Sequence, residues 1–289
     1  MPSLRAIRKR IATIRNTGQI TKAMKMVSAA KLRRAQERVI AARPYADKMS
    51  EVLASLAART DPGRHPLLMV REERRVEVVV ITSDRGLCGA YNNNIIKTTE
   101  AFLRERDFEA PSLVVVGKKG RDYFRKQGYQ IKGEYLGIAA LPQYSHAATI
   151  GRGLVTAYED LEIDSAYLVY SRFYSVMTQR PVIQRLLPIE PVEKKAGEVL
   201  VEYIFEPTPR EIFDKLLPRH LEVQVFRALL EAASSEHAAR MTAMDNATKN
   251  AEEMVGRLTI QMNRARQEAI TKEILDIING AEAQRRGAT

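Results

Sequence analysis

Tryptophan is absent from this chain and cysteine occurs once, at Cys88. A single thiol excludes an internal disulfide framework and fits a reducing compartment. No stretch approaches the run of about eighteen uncharged apolar residues that a membrane-spanning helix needs, and no apolar secretion segment follows the basic amino terminus. The four histidines, His65, His146, His220 and His237, have no ligand-like spacing among themselves or with Cys88, which removes the usual metal sites. Neither a G-x-G-x-x-G fingerprint nor a G-x-x-x-x-G-K-S/T phosphate loop is present. No residue set proposes catalysis, and no cofactor is expected.

Proline is missing after Pro218, and glycine occurs there only at Gly256 before Gly280. From Arg219 to about Arg286 the chain is rich in Ala, Glu, Arg, Met and Gln. It reads as one helix of roughly 100 Å at 1.5 Å per residue. Alternating steps of four and three trace a stripe through Phe226, Leu230, Ala233, His237, Met241, Met244, Thr248, Ala251, Val255, Leu258, Met262, Ala265 and Ala269. Only His237 and Thr248 interrupt its apolar character, so the stripe requires a partner helix.

That partner is at the other end of the chain. Leu4, Ile7, Ile11 and Ile14 open a heptad that continues to Leu53 and Leu56, and its only non-apolar members are the consecutive Gly18, Thr21, Lys25 and Ser28. Beside them Ile20, Met24 and Val27 form a displaced apolar strip. Pro2-Ser3 starts this helix, and Arg59 to Pro66, with Asp61-Pro62-Gly63, ends it.

Between the helices the period changes. Val76–Thr82, Leu113–Val116, Gln130–Tyr135, Ala166–Phe173 and Pro181–Pro188 read as strands, with helices near Asn92–Arg106, Lys119–Gln127 and Ala147–Leu161. Alternation of this kind predicts a parallel sheet covered by helices, closed by a hairpin of the last two strands. Residues 190–208 read as an irregular return to the second long helix. Ser83-Asp84-Arg85-Gly86-Leu87-Cys88-Gly89 reads as a tight strand-to-helix turn.

The expected fold is therefore an antiparallel two-helix coiled coil of the N- and C-terminal helices with an inserted Rossmann-like α/β domain. Its parts are residues 1–58, 59–208 and 209–289. If residue 58 lies beside residue 209, Met24 faces residue 243 and Met1 faces residue 266. The last twenty or so residues then project by about 30 Å without a partner, bearing Ile270, Ile274, Leu275, Ile277 and Ile278. An exposed apolar surface of that kind marks a binding site.

Charge is uneven. Residues 1–43 hold twelve Lys or Arg and one acid, Glu37, so the whole net charge of +11 sits on the first helix. It serves either as a solvated face or as a dock for something acidic.

Four collinear stretches carry a resemblance: Ile20-Thr21-Lys22-Ala23-Met24-Lys25-Met26-Val27, the Ser83–Gly89 turn, Ser235-Glu236-His237-Ala238-Ala239-Arg240-Met241, and Ala265-Arg266-Gln267-Glu268-Ala269-Ile270-Thr271-Lys272-Glu273. In these the chain resembles the gamma subunits of rotary, F-type ATP synthases. The resemblance implies a non-catalytic rotor shaft inside three alpha and three beta subunits. The α/β domain would stand beside the epsilon subunit and the membrane c-ring, and catalysis would stay in beta. It implies contact or coupling roles for Met24, Lys25, Arg33, Arg34, Arg240, Arg266, Gln267, Thr271 and Asp276, with the five apolar tip residues as a bearing. Acidic loops on beta would give the basic helix its destination.

Two departures stand out: Gly18 replaces a usual glutamine, and Asp276 a common glutamate. The cysteine-bearing insertion of chloroplast members is missing. With no transit peptide expected, since Ile7, Ile11 and Ile14 already belong to the heptad, this implies a bacterial protein at the cytoplasmic face of the plasma membrane. A basic-zipper nucleic-acid protein would separate its basic region from its heptads, whereas here they share one helix. A nucleotide-dependent enzyme would need the phosphate signatures that are lacking.

Overall fold

The computed structural model describes residues 3–57, 65–106, 108–190, 206 and 208–286. The expected end of the first helix at Asp61-Pro62-Gly63 and most of the irregular return at 190–208 lie outside them. Two compact units emerge, one formed by residues 1–27 with 243–289 and the other by residues 28–242. The first helix, α1 (Leu4–Ala57), and the last, α5 (Pro209–Arg286), each run through both.

In the larger unit β1 (Val76–Ile81), β2 (Ser112–Val116), β3 (Gln130–Tyr135), β4 (Ser165–Phe173) and β5 (Gln179–Leu187) form one sheet in the order β3-β2-β1-β4-β5. The first four are parallel, while β5 returns antiparallel on β4. Between them lie α2 (Tyr91–Glu105), α3 (Lys118–Lys126) and α4 (Tyr144–Glu159), and a 3-10 turn at Pro66–Leu68 follows α1.

Strand β1 is buried along its whole length, as a central parallel strand must be. Its residues divide by period two. Val76, Val78 and Val80 pack with Ile95, Phe102 and Phe124 of α2 and α3. Val79 and Ile81 pack with Leu154 of α4, Leu53 and Leu56 of α1, and Leu221 and Leu229 of α5. The ends of the two long helices therefore supply much of one face of the domain core.

Helix α5 begins ten residues before the expected Arg219 and carries Pro218 inside it. An internal proline removes one backbone hydrogen bond and crowds the preceding turn. Burial of Phe213, Leu217 and Leu221 around it offsets that penalty. Strand β5 likewise starts before Pro181. This is an edge strand, where a missing N–H is tolerated.

In the smaller unit α1 and α5 are antiparallel. The seven heptad positions of α1 in this unit, Leu4 to Lys25, are buried or half-buried, as are the nine in the larger unit, and the α5 stripe is sheltered as far as Ala265. The register differs from the expected one by two to three residues, since Thr21 meets Thr248 at 2.8 Å and Lys25 meets Asp245 at 2.6 Å. At Gly18 an added Cβ would stand 3.4 Å from Ala251 Cβ, an ordinary van der Waals contact. Gly18→Ala should therefore raise stability by about 0.5–1 kcal/mol. A lower urea midpoint for the variant would contradict this.

Candidate functional site

The smaller unit offers a seam and an uncovered end. Across Gly18 to Ser28 the seam is polar. The Thr21 and Thr248 hydroxyls bond each other, and Lys25 donates to Asp245. Asp245 also pairs with Lys249 at 3.0 Å. The hydrogen bonds from Lys25 and Lys249 hold the Asp245 carboxyl below the usual range. The displaced strip is left outside, with Ile20 61% and Val27 56% exposed, while Met24 is half-buried.

Beyond Ala265 no shelter remains. Every residue from Arg266 to Ala281 is exposed, including Gln267, Thr271 and Asp276. Ile270, Ile274, Leu275, Ile277 and Ile278 are between 48% and 68% exposed on a helix that continues to Arg286. Five large apolar side chains in nine residues, covered by none of the described residues, make an exposed apolar surface of the kind that marks interaction sites.

The larger unit shows what the glycine-bearing turn does. Ser83 N–H donates to Asn92 Oδ1 at 2.9 Å, Asn92 Nδ2 donates to Ser83 Oγ at 2.8 Å, and Ser83 Oγ donates to the Arg85 carbonyl at 2.6 Å. Asp84 Oδ1 accepts from the N–H groups of Lys118 and Gly137, both at 3.1 Å. Lys118 is the first residue of α3, where unpaired N–H groups and the helix dipole would attract a phosphate. The chain's own carboxylate fills that place. Gly117 is required for the close approach, because at φ 92° a Cβ there would lie 2.3 Å from the Thr82 carbonyl oxygen. Cys88 is buried against Ser83 and Asn92, and burial pushes its thiol up.

Arg240 fastens this turn to α5. Its Nη1 donates to Glu236 at 2.7 Å, and its Nη2 donates to the carbonyls of Arg85 and Gly86 at 3.3 and 3.2 Å. The two side chains are only 12% and 6% exposed, so Arg240 is committed inside the fold. Tyr91 anchors the same helix by donating its hydroxyl to the Ala232 carbonyl at 3.1 Å. His237, expected as a packed or hydrogen-bonded residue of the coil, is 3% exposed, and its Nδ1 has no hydrogen-bond partner among the described residues. Burial, with Arg240 and Lys31 nearby, lowers its pKa to about 4.

Of the sequence-predicted contact residues, Arg33 and Arg34 lie exposed on α1 in the larger unit, with Arg33 beside Glu37 at 3.2 Å. Lys25 and Arg240 are held by acids of the same chain. Sequence reasoning missed Asp245 and Glu236 as those partners, and Asp84 as the acceptor for the Lys118 and Gly137 N–H groups, although each lies in or beside a quoted stretch. Among the described residues no cluster of His, Cys, Asp and Glu could hold a metal, and no helix is long and apolar enough to cross a membrane.

A paired-helix seam with an exposed stretch of helix beyond it, together with an α/β unit whose phosphate position is filled from within, defines the class, a paired-helix protein with an α/β domain. Comparison with known proteins agrees. The ATP synthase family model matches residues 3–284. The ATP synthase gamma chain of Geobacter metallireducens is 53% identical over 285 residues, covering 98% of this chain and 99% of that one. The gamma chain of Pelotomaculum thermopropionicum is 50% identical over 283 residues, with the same coverage. A chain in the Euglena gracilis mitochondrial ATP synthase shares the fold with a TM-score of 0.71 at 23% identity, over 99% of this chain and 96% of that one. One in the central stalk and c-ring structure of the Tetrahymena thermophila enzyme gives 0.61 at 25% identity, over 79% of this chain and 99% of that one. The chain belongs to the ATP synthase gamma chain family and is a non-catalytic subunit.

Proposed function

We infer that this chain is the central rotor shaft of a proton-translocating F-type ATP synthase. It couples c-ring rotation to sequential conformational change, and so to ATP synthesis, at catalytic sites in three beta subunits alternating with three alpha subunits. Through that coupling it also regulates ATPase activity and proton flow. The observation that carries this reading is the uncovered run from Arg266 to Ala281, which ends a helix otherwise sheltered by its partner. Residues 1–58 and 209–289 act as the shaft, and residues 59–208 act as the foot beside the epsilon subunit and the c-ring.

The five apolar tip residues form the bearing. Met24, Arg33, Arg34, Arg266, Gln267, Thr271 and Asp276 face alpha and beta. Lys25 and Arg240, held by Asp245 and Glu236, position the contact surfaces from within. The assembly stands at the cytoplasmic face of a bacterial plasma membrane, the situation of a peripheral subunit.

The experiment replaces Arg33, Arg34 and Arg38 together with glutamine. All three side chains lie on the exposed side of α1, so helix content should be unchanged. Assembly with alpha and beta, or the ATPase rate of the assembly, should fall several-fold at 0.15 M salt. Duplex DNA should bind only weakly, without sequence preference and with steep salt dependence. Nanomolar, sequence-selective DNA binding, with assembly unaffected by the triple substitution, would overturn the shaft reading for this helix.

A further inference from the structure

The larger unit contains a cavity that the shaft reading leaves unused, and it comes from the seam itself. Val39, Ala42 and Ala46 are successive positions of the α1 heptad, and they line one space with Phe226 and Leu230, neighbours on the α5 stripe. A coiled-coil seam closes where large side chains fill the holes of the facing helix. Two alanines in succession fill little of them. The space left measures about 210 Å³, and Val223 of α5 and Tyr144 at the start of α4 complete its walls.

These walls are apolar. Val39, Ala42, Ala46 and Phe226 are half-buried, while Val223 and Leu230 are buried. The Tyr144 and Phe226 rings meet at 79° with their centroids 5.8 Å apart, and the Tyr144 hydroxyl donates to Glu222 at 2.6 Å. Among the described residues that line the cavity, no buried side-chain nitrogen or oxygen lacks a hydrogen bond. No polar group there awaits a ligand.

Charge does not call for one either. The charged residues that border the cavity, Arg43, Asp47 and Arg227, are exposed, and Arg227 Nε already donates to Glu231 at 3.0 Å. An ion entering this space would give up its hydration for walls that offer no partner, a steep penalty. A neutral hydrocarbon gives up nothing and leaves water for an apolar setting.

We propose that this cavity binds a small neutral arene, a benzene ring with a short alkyl tail. A dry cavity of ~150 Å³ lined by aliphatic and aromatic side chains takes benzene itself, so the larger space here has room for about two or three further carbons. The ring lies against Phe226 and Tyr144, where edge-to-face contact is available. The tail fills the gap that Ala42 and Ala46 leave. This site goes beyond the shaft reading and stands without it.

Ethylbenzene is the probe, titrated into the full-length chain with ¹³C-labelled methyl groups. Saturable one-to-one shifts are expected at the Val39, Val223 and Leu230 methyls at sub-millimolar concentration. Saturation should also raise the urea midpoint, as a ligand of the folded state must. Phenylacetate, similar in size but charged, should bind the unaltered chain about tenfold more weakly or worse. Ala42→Leu, which fills the cavity, should weaken ethylbenzene binding about tenfold or more with the helix signal retained. If that variant loses its helix signal, the two titrations of the unaltered chain decide. Absence of saturation would overturn the proposal. So would equal binding of phenylacetate, unchanged ethylbenzene binding in a folded Ala42→Leu chain, or shifts at the exposed Ile270, Ile274 and Ile277 methyls as large as those at Leu230.

Discussion

Arg240→Met should destabilise the folded chain by about 3–5 kcal/mol, the range for removing one partner of a buried ion pair. The guanidinium is the hydrogen-bonded ion-pair partner of Glu236, whose side chain is 6% exposed, and it also caps the carbonyls of Arg85 and Gly86. Burial raises the Glu236 pKa and Arg240 opposes that rise. Without the arginine, the carboxylate must either stay charged in an apolar setting or take up a proton. Adding Glu236→Gln to Arg240→Met should recover much of the loss, because the stranded charge is then gone. Urea denaturation of the two single variants and the double variant measures this as a cycle. A loss for Arg240→Met within about 0.5 kcal/mol, the usual range for a surface substitution, would show that Arg240 is not the clasp described above.

The second large effect is a dependence on acid. His237 has a folded pKa of about 4, lowered first by burial and then by Arg240 and Lys31, against an ordinary value of 6.5. Between those values the unfolded chain binds a proton that the folded chain refuses. Stability therefore falls as pH drops from 6.5 towards 4. At about 1.36 kcal/mol per pH unit the loss approaches 3 kcal/mol. His220, also lowered by burial, acts in the same direction, so the test is a difference. His237→Leu should show a shallower decline than the parent when urea stability is followed from pH 7.5 to 4.5. Parallel declines would mean that His237 titrates normally in the fold.

Much of this architecture was legible from periodicity. The heptad of α1 is sheltered at every position, and the expected strands lie within three residues of the observed ones, because a buried face imposes its spacing on the sequence. The exposure of residues 266–281 follows the difference in length between the two helices. What escaped depends on contacts between residues far apart in sequence. Nothing local to Lys25 announces Asp245, and nothing local to Asp84 says that its carboxylate will take the N–H groups of Lys118 and Gly137. Pro218 misled for a related reason. Its local preference for ending a helix was overruled by the burial of Phe213 and Leu217 before it.

The polar stretch of the seam also acts as a key. A purely apolar seam would let two long helices slide by one turn at little penalty, since one leucine replaces another. Here a four-residue slip one way would set Lys25 against Lys249, and a slip the other way would set the Thr21 hydroxyl against Met244. Either movement breaks the bonds to Asp245 and Thr248 and leaves polar groups without partners in the seam. A few hydroxyl and ionic contacts thus index one lengthwise position out of many, as single polar residues do in shorter coiled coils. A rod twisted from one end keeps its two strands in step only if they cannot creep past each other, and this layer is the ratchet pin that prevents it.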